Sequence, residues 1–346
     1  MAFDGITIAN ITKELSDALC GGRLYKIAQP EPDELLFTVK SGSQTYRLVL
    51  SANASLPLLY LTEENKPSPM TAPGFCMLLR KHIQNGRILS VTQPGLERIV
   101  NIEIEHLNEL GDLCRKKLII ELMGKHSNII FCKEDDTIID SIKHISGMVS
   151  SVREVLPGKP YFIPHTVDKK DPFTVTQPEF SALITAKAQP LYKALYTSLT
   201  GLSPLLSQEL CRRAGLDGDF SSAAYNTEQL AALYQALTAL LLEVRAGSFS
   251  PSLVYAGNTP VEYAAFPLTI YRDPSHTTRS FSSMSKLLET YYAQKELQTR
   301  MRQKSADLRK IVQTALERNI KKYDLQTAQM KDTQKKDKYR IYGELL

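Results

Sequence analysis

The sequence predicts an α+β protein in which antiparallel strands with two flanking helices come first, a helical segment follows, and a long amphipathic helix comes last. Three observations predict this order. Short β-rich runs separated by Pro, Gly, Asn and Ser fill the first 165 residues. Sequence rich in Leu and Ala extends from about Pro178 to Val244. After Pro274 the chain has no Pro and, until Gly343, no Gly.

The N-terminal part is predicted to contain two helices and nine strands. Apolar residues at helical spacing predict a helix over Ile6–Leu19 that Gly21-Gly22 ends, and a second helix over Phe75–Ile83. Strands are predicted at Leu24–Ala28, Leu35–Val39, Tyr46–Leu50, Leu58–Leu61, Arg87–Val91, Ile99–Ile104, Leu118–Leu122, Ile129–Cys132 and Ile138–Ile142. Short strands with frequent turns favour antiparallel sheets. Val155 to Pro164 breaks all periodicity and marks the exit from this part.

A helical hairpin is predicted within the Leu- and Ala-rich segment. Gly201 lies between two helical runs, Ser203-Pro204 begins the second run, and Gly215 closes it. This pattern is typical of a helix-hairpin-helix motif, in which backbone N–H groups at the second helix's N-terminus hold a nucleic-acid phosphate. An ordinary helical hairpin has the same pattern. Residues assigned to possible phosphate contact are Gly201, Ser203, Arg212 and Arg213.

The last part is predicted to be one helix from Ser283 to Lys338 with a narrow apolar seam, so it requires a partner helix. We expect the returning helix of a coiled-coil hairpin to lie outside this sequence. Residues 286–346 hold fifteen Lys and Arg against eight Asp and Glu, although the whole chain carries only +5. This surplus predicts a docking arm for an acidic surface, with a solvated helix face as the alternative. Arm residues assigned to docking are Lys321, Lys322, Lys335 and Lys336. Leu253–Tyr255 and Ala265–Tyr271, ahead of the arm, have some β character.

Composition excludes several classes of protein. The five cysteines are dispersed without a C-x-x-C pair, which predicts neither a zinc site nor a disulfide framework and is typical of a reducing cytosol. The residues after Met1 form no secretory signal, and no apolar run is long enough for a transmembrane helix. We therefore expect a cytoplasmic protein without a membrane partner, metal or cofactor.

Glu121 to Phe131 is the most informative stretch of the chain. Apolar runs on either side predict two strands, and Gly124 and Asn128 supply turn chemistry. Lys125, His126, Ser127 and Asn128 place four hydrogen-bond donors on one short loop, which suits an anion or a phosphate. A polar hairpin without a ligand is the alternative.

The sequence of this loop closely resembles a signature of the NFACT family, and the resemblance extends over all 346 residues. Blocks that carry it, in chain order, are Met1–Gly5, Phe75–Ile83, Arg87–Gln93, Arg98–Val100, Glu121–Asn128, Ile139–Ile142, Leu156–Gly158 with Tyr161, and Gly343–Leu346. It implies an NFACT-N domain over 1–172, which would be an antiparallel β-sandwich with flanking helices like that of formamidopyrimidine glycosylases. A helix-hairpin-helix domain over 173–250, a β-containing return segment over 251–282 and a truncated coiled-coil arm over 283–346 would follow.

The resemblance implies ribosome-associated quality control. The family's factors bind the large (50S) ribosomal subunit that carries a stalled peptidyl-tRNA and recruit alanyl-tRNA for untemplated alanine tailing. Bond formation is left to the ribosome, so the protein would not be an enzyme. The family's Asp-Arg pair for tRNA matches Glu97-Arg98, whose glutamate is one methylene longer. Arg98 can form two parallel hydrogen bonds to a phosphate or a guanine edge.

The other residues assigned to tRNA binding are Lys125, His126 and Ser127. Without the resemblance, Glu97-Arg98 is interpreted by default as a water-exposed ion pair where a strand begins, which contributes little stability. The sequence opposes two other functions. A DNA glycosylase would need the N-terminal proline and following glutamate of those enzymes, and this chain has Ala2 and Phe3. A fibronectin-binding adhesin would need a signal peptide, an anchor or disulfides.

Overall fold

A computed structural model of the chain describes residues 3–150, 152–163 and 168–346, and all of their side chains except those of 294–304 and 334. Met1, Ala2 and Pro164, which figure in the sequence interpretation, lie outside the described residues. The helices are α1 (Gly5–Leu19), α2 (Gly74–Ile83), α3 (Gln177–Thr185), α4 (Leu191–Ser198), α5 (Pro204–Arg213), α6 (Thr227–Ala246) and α7 (Met284–Glu344), with 3₁₀ turns at Gly124–His126 and Ser222–Ala224.

Nine of the twelve described strands form one antiparallel sheet. Its strands are β1 (Arg23–Glu31), β2 (Glu34–Ser41), β3 (Gln44–Ser51), β4 (Leu58–Thr62), β5 (Arg87–Thr92), β6 (Ile99–Leu107), β7 (Leu113–Glu121), β8 (Asn128–Lys133) and β9 (Ile138–Ser141). The order across the sheet is β4-β3-β2-β1-β5-β6-β7-β8-β9. The sheet therefore has two halves, one of four strands (β1 to β4) and one of five (β5 to β9), which meet where β1 pairs with β5. The prediction of a protein that mixes helices with antiparallel strands is confirmed, and the arrangement of the strands as a β-sandwich stays a prediction.

Helix α1 covers this sheet with an apolar face. Ile8, Ile11, Leu15 and Leu19 are fully buried, and they recur at the three- to four-residue spacing of one helix face. Asp4 caps the helix, since its side chain accepts a hydrogen bond from the Thr7 N–H at 2.9 Å. The predicted N-terminal helix is confirmed, and its capped end lies at the candidate site described below.

A second, three-stranded sheet follows the helical segment, and here the sequence interpretation was partly wrong. Strands β10 (Ser252–Ala256), β11 (Thr259–Ala264) and β12 (His276–Ser280) pair in the order β11-β10-β12. Ala265–Tyr271, which had β character, is not a strand. Pro267 has no N–H to donate, and the N–H groups of Thr269 and Ile270 bond the Glu209 carboxylate instead of a neighbouring strand.

The chain divides into two compact units, one up to Tyr291 and the other from Tyr292 to Leu346. The division of the first unit at 172 and 250 stays a prediction. In the second unit, the described side chains from Ser305 onward are exposed except for half-buried Thr327, and they include the apolar Leu308, Ile311 and Leu316. The long helix is confirmed, and its partner helix stays a prediction. Among the residues described, no helix combines the length and apolarity needed to cross a membrane.

Candidate nucleic-acid interface

Glu97 and Arg98 lie at the end of the loop that joins β5 to β6, and both are half-buried. The amide of Gln93 shapes this loop, because its Nε2 donates to the carbonyl oxygens of Gly5 and Glu97, each at 2.8 Å. Gly95 has φ +55°, a backbone conformation that favours glycine. The loop is therefore a fixed platform tied to the start of α1, and it presents Glu97 and Arg98 beside the sheet.

Two glycines let three segments meet under this loop. An added Cβ at Gly5 would lie 2.2 Å from the Leu96 carbonyl oxygen and 2.6 Å from the Cα of Gly201. The Gly5 N–H donates to the Gly201 carbonyl at 3.0 Å, and Leu96 is only 2% exposed. We call the meeting point of Asp4, Gly5, Leu96, Gly201 and Ser203 the junction. It fixes the Glu97-Arg98 loop against both α1 and the hairpin between α4 and α5.

Ser203 has two partners at the junction. Its hydroxyl donates to Asp4 Oδ2 at 2.7 Å and accepts the Leu206 N–H at 3.2 Å, which caps α5. Burial raises the pKa of the Asp4 carboxyl. The helical hairpin is confirmed, but the hydroxyl of Ser203 and the carbonyl of Gly201 are engaged inside the protein. A phosphate contact at these two residues stays a prediction, and it would require these bonds to open.

Within the Glu121–Asn128 loop, the exposed and the buried residues have separate roles. Lys125 and His126 are exposed on the 3₁₀ turn that links β7 to β8. Ser127 is 1% exposed, and its hydroxyl accepts the Met123 N–H at 2.8 Å. The sequence assigns Ser127 to tRNA contact, but its side chain closes the loop from inside, because the bond from the Met123 N–H holds the hydroxyl against the backbone of the turn. Only Lys125 and His126 are available to a ligand.

Asn128 holds this loop to the neighbouring chain. It is fully buried; its Nδ2 donates to the Lys143 carbonyl at 2.9 Å, and its Oδ1 accepts the Lys143 N–H at 3.1 Å. The ammonium of Lys143 in turn donates to the carbonyls of Ala52 and Ser127. Burial lowers the pKa of Lys143. The buried part of the signature is thus a polar clamp between β8, β9 and the loop after β3.

The half-buried Glu97-Arg98 pair and the exposed Lys125-His126 pair lie at the same end of the sheet. Strand β6 pairs with β7 so that Ile99 lies opposite Glu121, and the Leu122 N–H donates to the Arg98 carbonyl at 2.9 Å. Arg98 immediately precedes β6, and the 3₁₀ turn with Lys125 comes two residues after Leu122. The antiparallel register therefore brings Glu97-Arg98 and Lys125-His126 to one surface. The sequence predicted their chemistry, and the structure adds this proximity.

Lys169 joins this surface without any signal in the sequence. Its Nζ donates to the Tyr196 carbonyl at 2.7 Å, which ties it to α4. Burial and the nearby Arg98 guanidinium lower the pKa of Lys169, while the Glu97 carboxylate acts in the opposite direction. Lys169 follows a segment without periodicity, so only the fold places it beside Glu97-Arg98. We call Glu97, Arg98, Lys125, His126 and Lys169 the candidate tRNA surface.

Behind this surface, Glu121 forms a buried ion pair. Glu121 is 0% exposed; Arg153 donates to its Oε2, and the Tyr161 hydroxyl donates to its Oε1 at 2.9 Å. Arg153 also donates to the Phe162 carbonyl at 2.7 Å. Burial, followed by the Glu121 carboxylate, raises the pKa of the Tyr161 hydroxyl. Residues 152–163, which include the described part of the predicted exit from Val155 onward, are thereby anchored to the sheet's core.

The remaining predicted contacts lie elsewhere. Arg213 is engaged within the fold, since its Nε donates to the fully buried Glu209 at 2.7 Å and its guanidinium lies 4.7 Å from the ring centroid of Phe266. Arg212 is exposed on the same turn of α5. The arm lysines Lys321, Lys322, Lys335 and Lys336 are exposed on α7, and Lys335 lies 3.0 Å from Asp332. The described residues contain no cluster of three metal-ligating side chains.

The loop offers a stability prediction that needs no ligand. Asn128→Ala should lower the free energy of unfolding by about 1–3 kcal/mol, because both hydrogen bonds of the fully buried Asn128 side chain to Lys143 are lost and the Lys143 N–H loses its acceptor, while the Lys143 carbonyl keeps only the Ser141 hydroxyl. Lys125→Ala changes an exposed side chain on the same loop and should stay within about 0.5 kcal/mol of the parent. Urea unfolding of both variants measures the difference. Equal losses in the two variants would contradict the clamp role of Asn128.

Comparison with known proteins places these features in a family. The family model that describes the NFACT N-terminal and middle domains matches residues 4–346 of this sequence. This chain belongs to the NFACT family. Among curated relatives, Rqc2 homolog RqcH of Bacillus subtilis is 33% identical over 347 residues, covering 100% of this chain and 58% of that protein. Ribosome quality control complex subunit NEMF of Homo sapiens is 21% identical over 63% of this chain and 19% of that protein.

Solved structures of NFACT relatives share the fold. The fibrinogen binding protein from Staphylococcus aureus aligns with a TM-score of 0.71 and 28% identity, covering 84% of this chain and 99% of that chain. The N-terminal part of the fibronectin/fibrinogen-binding protein from Streptococcus suis aligns with a TM-score of 0.67 and 30% identity over 84% of this chain and 99% of that one. The likeness to formamidopyrimidine glycosylases stays a prediction.

Proposed function

We propose that this chain is the N-terminal portion of a ribosome quality control factor that holds a tRNA on the candidate tRNA surface. Membership of the NFACT family supports the first part, since curated relatives carry the names RqcH and NEMF. One observation carries the second part. Arg98, Lys125, His126 and Lys169 are gathered at one end of the sheet although the sequence separates them. Such a group of basic side chains, each with N–H donors, suits phosphate oxygens of a folded RNA.

The finer assignment follows the family. The protein would act in the cytoplasm on a large (50S) subunit that carries peptidyl-tRNA and would recruit alanyl-tRNA for alanine tailing, leaving peptide-bond formation to the ribosome. No step of that sequence needs a catalytic residue in this chain. The helix-hairpin-helix domain would add a nucleic-acid contact through Arg212, and the arm with Lys321, Lys322, Lys335 and Lys336 would dock on the subunit. The chain spans 58% of the Bacillus relative, so these roles belong to the whole protein.

Purification of the full-length protein tests this proposal. We expect affinity-purified protein to carry large-subunit ribosomal RNA and alanine tRNA, identified by sequencing the bound RNA. A variant with Arg98→Ala and Lys125→Ala should lose the tRNA while the amount of purified protein is unchanged. Bound RNA with no enrichment of tRNA over total cellular RNA would contradict the proposal.

Arg98 gives the sharpest single substitution. Arg98→Ala should weaken tRNA binding by about 1–3 kcal/mol, because a charge-assisted hydrogen bond is lost on a half-buried loop. Electrophoretic mobility shift at physiological salt measures this. Arg272→Ala is the matched control, since Arg272 is exposed in the second sheet's loop and should leave affinity unchanged. An Arg98→Ala affinity equal to the parent's, with the melting temperature also unchanged, would remove Arg98 from the interface.

Fibronectin binding is the second candidate function. The solved relatives from Staphylococcus aureus and Streptococcus suis are titled as fibrinogen- or fibronectin-binding proteins. If binding to fibronectin arises through basic surfaces, it should fall with salt in parallel with RNA binding and be competed by tRNA. A salt-resistant complex with fibronectin that tRNA does not displace would favour a separate adhesin role.

A further inference from the structure

Three cations form a row across the line where the two halves of the nine-stranded sheet meet. Arg23 on β1 lies directly opposite Lys40 on β2 and directly opposite Arg87 on β5. The β1–β5 contact is held by backbone bonds, with the Leu24 N–H donating to the Gly86 carbonyl at 2.9 Å. Directly paired residues project from the same face of a sheet, and all three cations are exposed. We call Arg23, Lys40 and Arg87 the basic rim.

The fold does little to neutralise this row. Among the described residues, no ion pair involves a member of the basic rim. Glu105 lies opposite Arg87 on β6, but its carboxylate is 3.9 Å from Arg115 on the following strand. Like charges placed directly opposite on a sheet are destabilising. Two such pairs in a row, with no acidic partner between them, indicate a surface that an external polyanion completes.

An exposed aromatic ring lies on the same face. Tyr25 is 51% exposed, and the Nζ of Lys40 lies 3.7 Å from its ring centroid. This contact shows that Tyr25 projects toward Lys40, so the ring borders the basic rim. One face of the ring is covered by the ammonium, and the exposed fraction leaves area for a further stacking partner. Cations that follow a backbone, together with an aromatic ring for a base, are the common features of surfaces that bind single-stranded nucleic acid.

The basic rim is separate from the candidate tRNA surface. Arg98 immediately precedes β6, whereas Glu105, the neighbour of Arg87, is near the other end of that strand. Seven residues of extended chain separate the two positions, which is about 23 Å at 3.3 Å per residue. A single phosphate group therefore cannot contact both, and variants in one surface leave the residues of the other in place.

We propose that the basic rim is a second RNA-binding surface of this chain, which takes the backbone of single-stranded RNA with Tyr25 stacking on a base. The contacts are to phosphates and to a ring face, so binding is independent of sequence. Adjacent strands are about 4.8 Å apart, so the three cations lie along a line of roughly 10 Å across the sheet. A flexible single strand can follow such a line, which makes it the partner best matched to the row.

The test uses the 346-residue chain and a fluorescently labelled 20-nucleotide RNA of mixed sequence that has no stable secondary structure. Arg23→Glu, Lys40→Glu and Arg87→Glu are combined in one variant. The control combines Lys187→Glu, Lys193→Glu and Arg272→Glu, which are equally exposed and change the net charge by the same amount. Fluorescence anisotropy is recorded over a range of NaCl concentrations for the parent and both variants.

We expect the rim variant to lose at least tenfold in affinity and about 2 in the slope of log affinity against log salt, since each phosphate contact in a single strand contributes about 0.7. The control variant should keep the parent's slope. Tyr25→Ala should weaken the single strand about 5- to 150-fold and a duplex of the same sequence far less. The loss of slope caused by the rim substitutions should be the same when Arg98→Ala is present in the parent and in both variants, which separates this inference from the proposed tRNA function.

Equal slopes for the rim and control variants would overturn the proposal, because the effect would then be one of net charge alone. Competition by a 20-residue polyglutamate as strong as that by RNA would overturn it too, since the surface would bind any polyanion. If the rim variant does not fold, as judged by its thermal melting, the pair Arg23→Gln and Arg87→Gln replaces it. That variant should lose about 1.4 of slope, and an unchanged slope would again refute the assignment.

Discussion

Arg153→Ala should lower the free energy of unfolding by about 3–5 kcal/mol, because it leaves a fully buried carboxylate without its counter-ion. Glu121 would keep only the hydroxyl of Tyr161 as a partner. The loss extends beyond this charge, since Arg153 also donates to the Phe162 carbonyl and lies 5.4 Å from the ring centroid of Tyr161. Chemical denaturation measures this loss of stability. Far-UV circular dichroism is the suitable signal, because the chain has no Trp for fluorescence.

Arg115→Ala is the matched control for this experiment. It makes the same substitution on an ion pair that is open to solvent, since the side chain of Arg115 is 49% exposed and lies 3.9 Å from Glu105. Exposed pairs of this kind contribute about 0–1 kcal/mol. A loss for Arg153→Ala no larger than that of the control would mean that Glu121 is hydrated in solution, and that residues 152–163 are not anchored as described.

Gly201→Ala should have an effect of similar size for a different reason. Gly201 has φ +81°, where an L-residue costs about 1–2 kcal/mol. An added Cβ would also lie 2.4 Å from the Cβ of Leu96 and 2.8 Å from its carbonyl oxygen, a collision with backbone that costs about a further 1–3 kcal/mol. We therefore expect destabilisation of about 2–5 kcal/mol in urea unfolding. Because Leu96 adjoins Glu97, tRNA affinity should fall as well.

Gly215→Ala separates the cost of backbone strain from the cost of the collision with Leu96. Gly215 has φ +71° and follows the same helical hairpin, yet no atom lies within 4 Å of an added Cβ. It should cost only the backbone strain of about 1–2 kcal/mol and leave tRNA affinity unchanged. Equal destabilisation in the two variants would show that Leu96 moves aside without cost, so that the junction does not fix the Glu97-Arg98 loop.

The sequence predicted most of the elements because their periodicity is local. All nine strands of the large sheet and both of its helices lie within a few residues of the predicted ranges, and α7 was predicted from Ser283. The β character predicted for Ala265–Tyr271 was wrong because the Thr269 N–H bonds a carboxylate 60 residues earlier in the chain, at Glu209, and not a neighbouring strand. No local pattern reports a partner at that separation.

The sequence predicted which residue types form the candidate site, but it could not predict which of those side chains are exposed. Lys125 and Ser127 are two positions apart in one loop, but Lys125 is exposed and Ser127 is 1% exposed, and the difference follows from the 3₁₀ turn, which directs the Ser127 hydroxyl to the Met123 N–H. Likewise, the N-cap predicted at Ser203 is correct, yet the second partner of its hydroxyl, Asp4, is 199 residues earlier in the chain. The proximity of Lys169 to Arg98 has the same tertiary origin.

The bonds between the start of the first unit and its last residues constrain how the protein is made. Asp4 bonds Ser203, the Glu14 carboxylate accepts N–H groups of Met284 and Ser285, and the Leu61 N–H donates to the Ser285 hydroxyl at 2.9 Å. At about 5–20 residues per second, translation needs roughly 15–60 s to reach these partners. During that time α1 and β4 emerge without them, so the first unit completes its fold only after the beginning of α7 has left the ribosome.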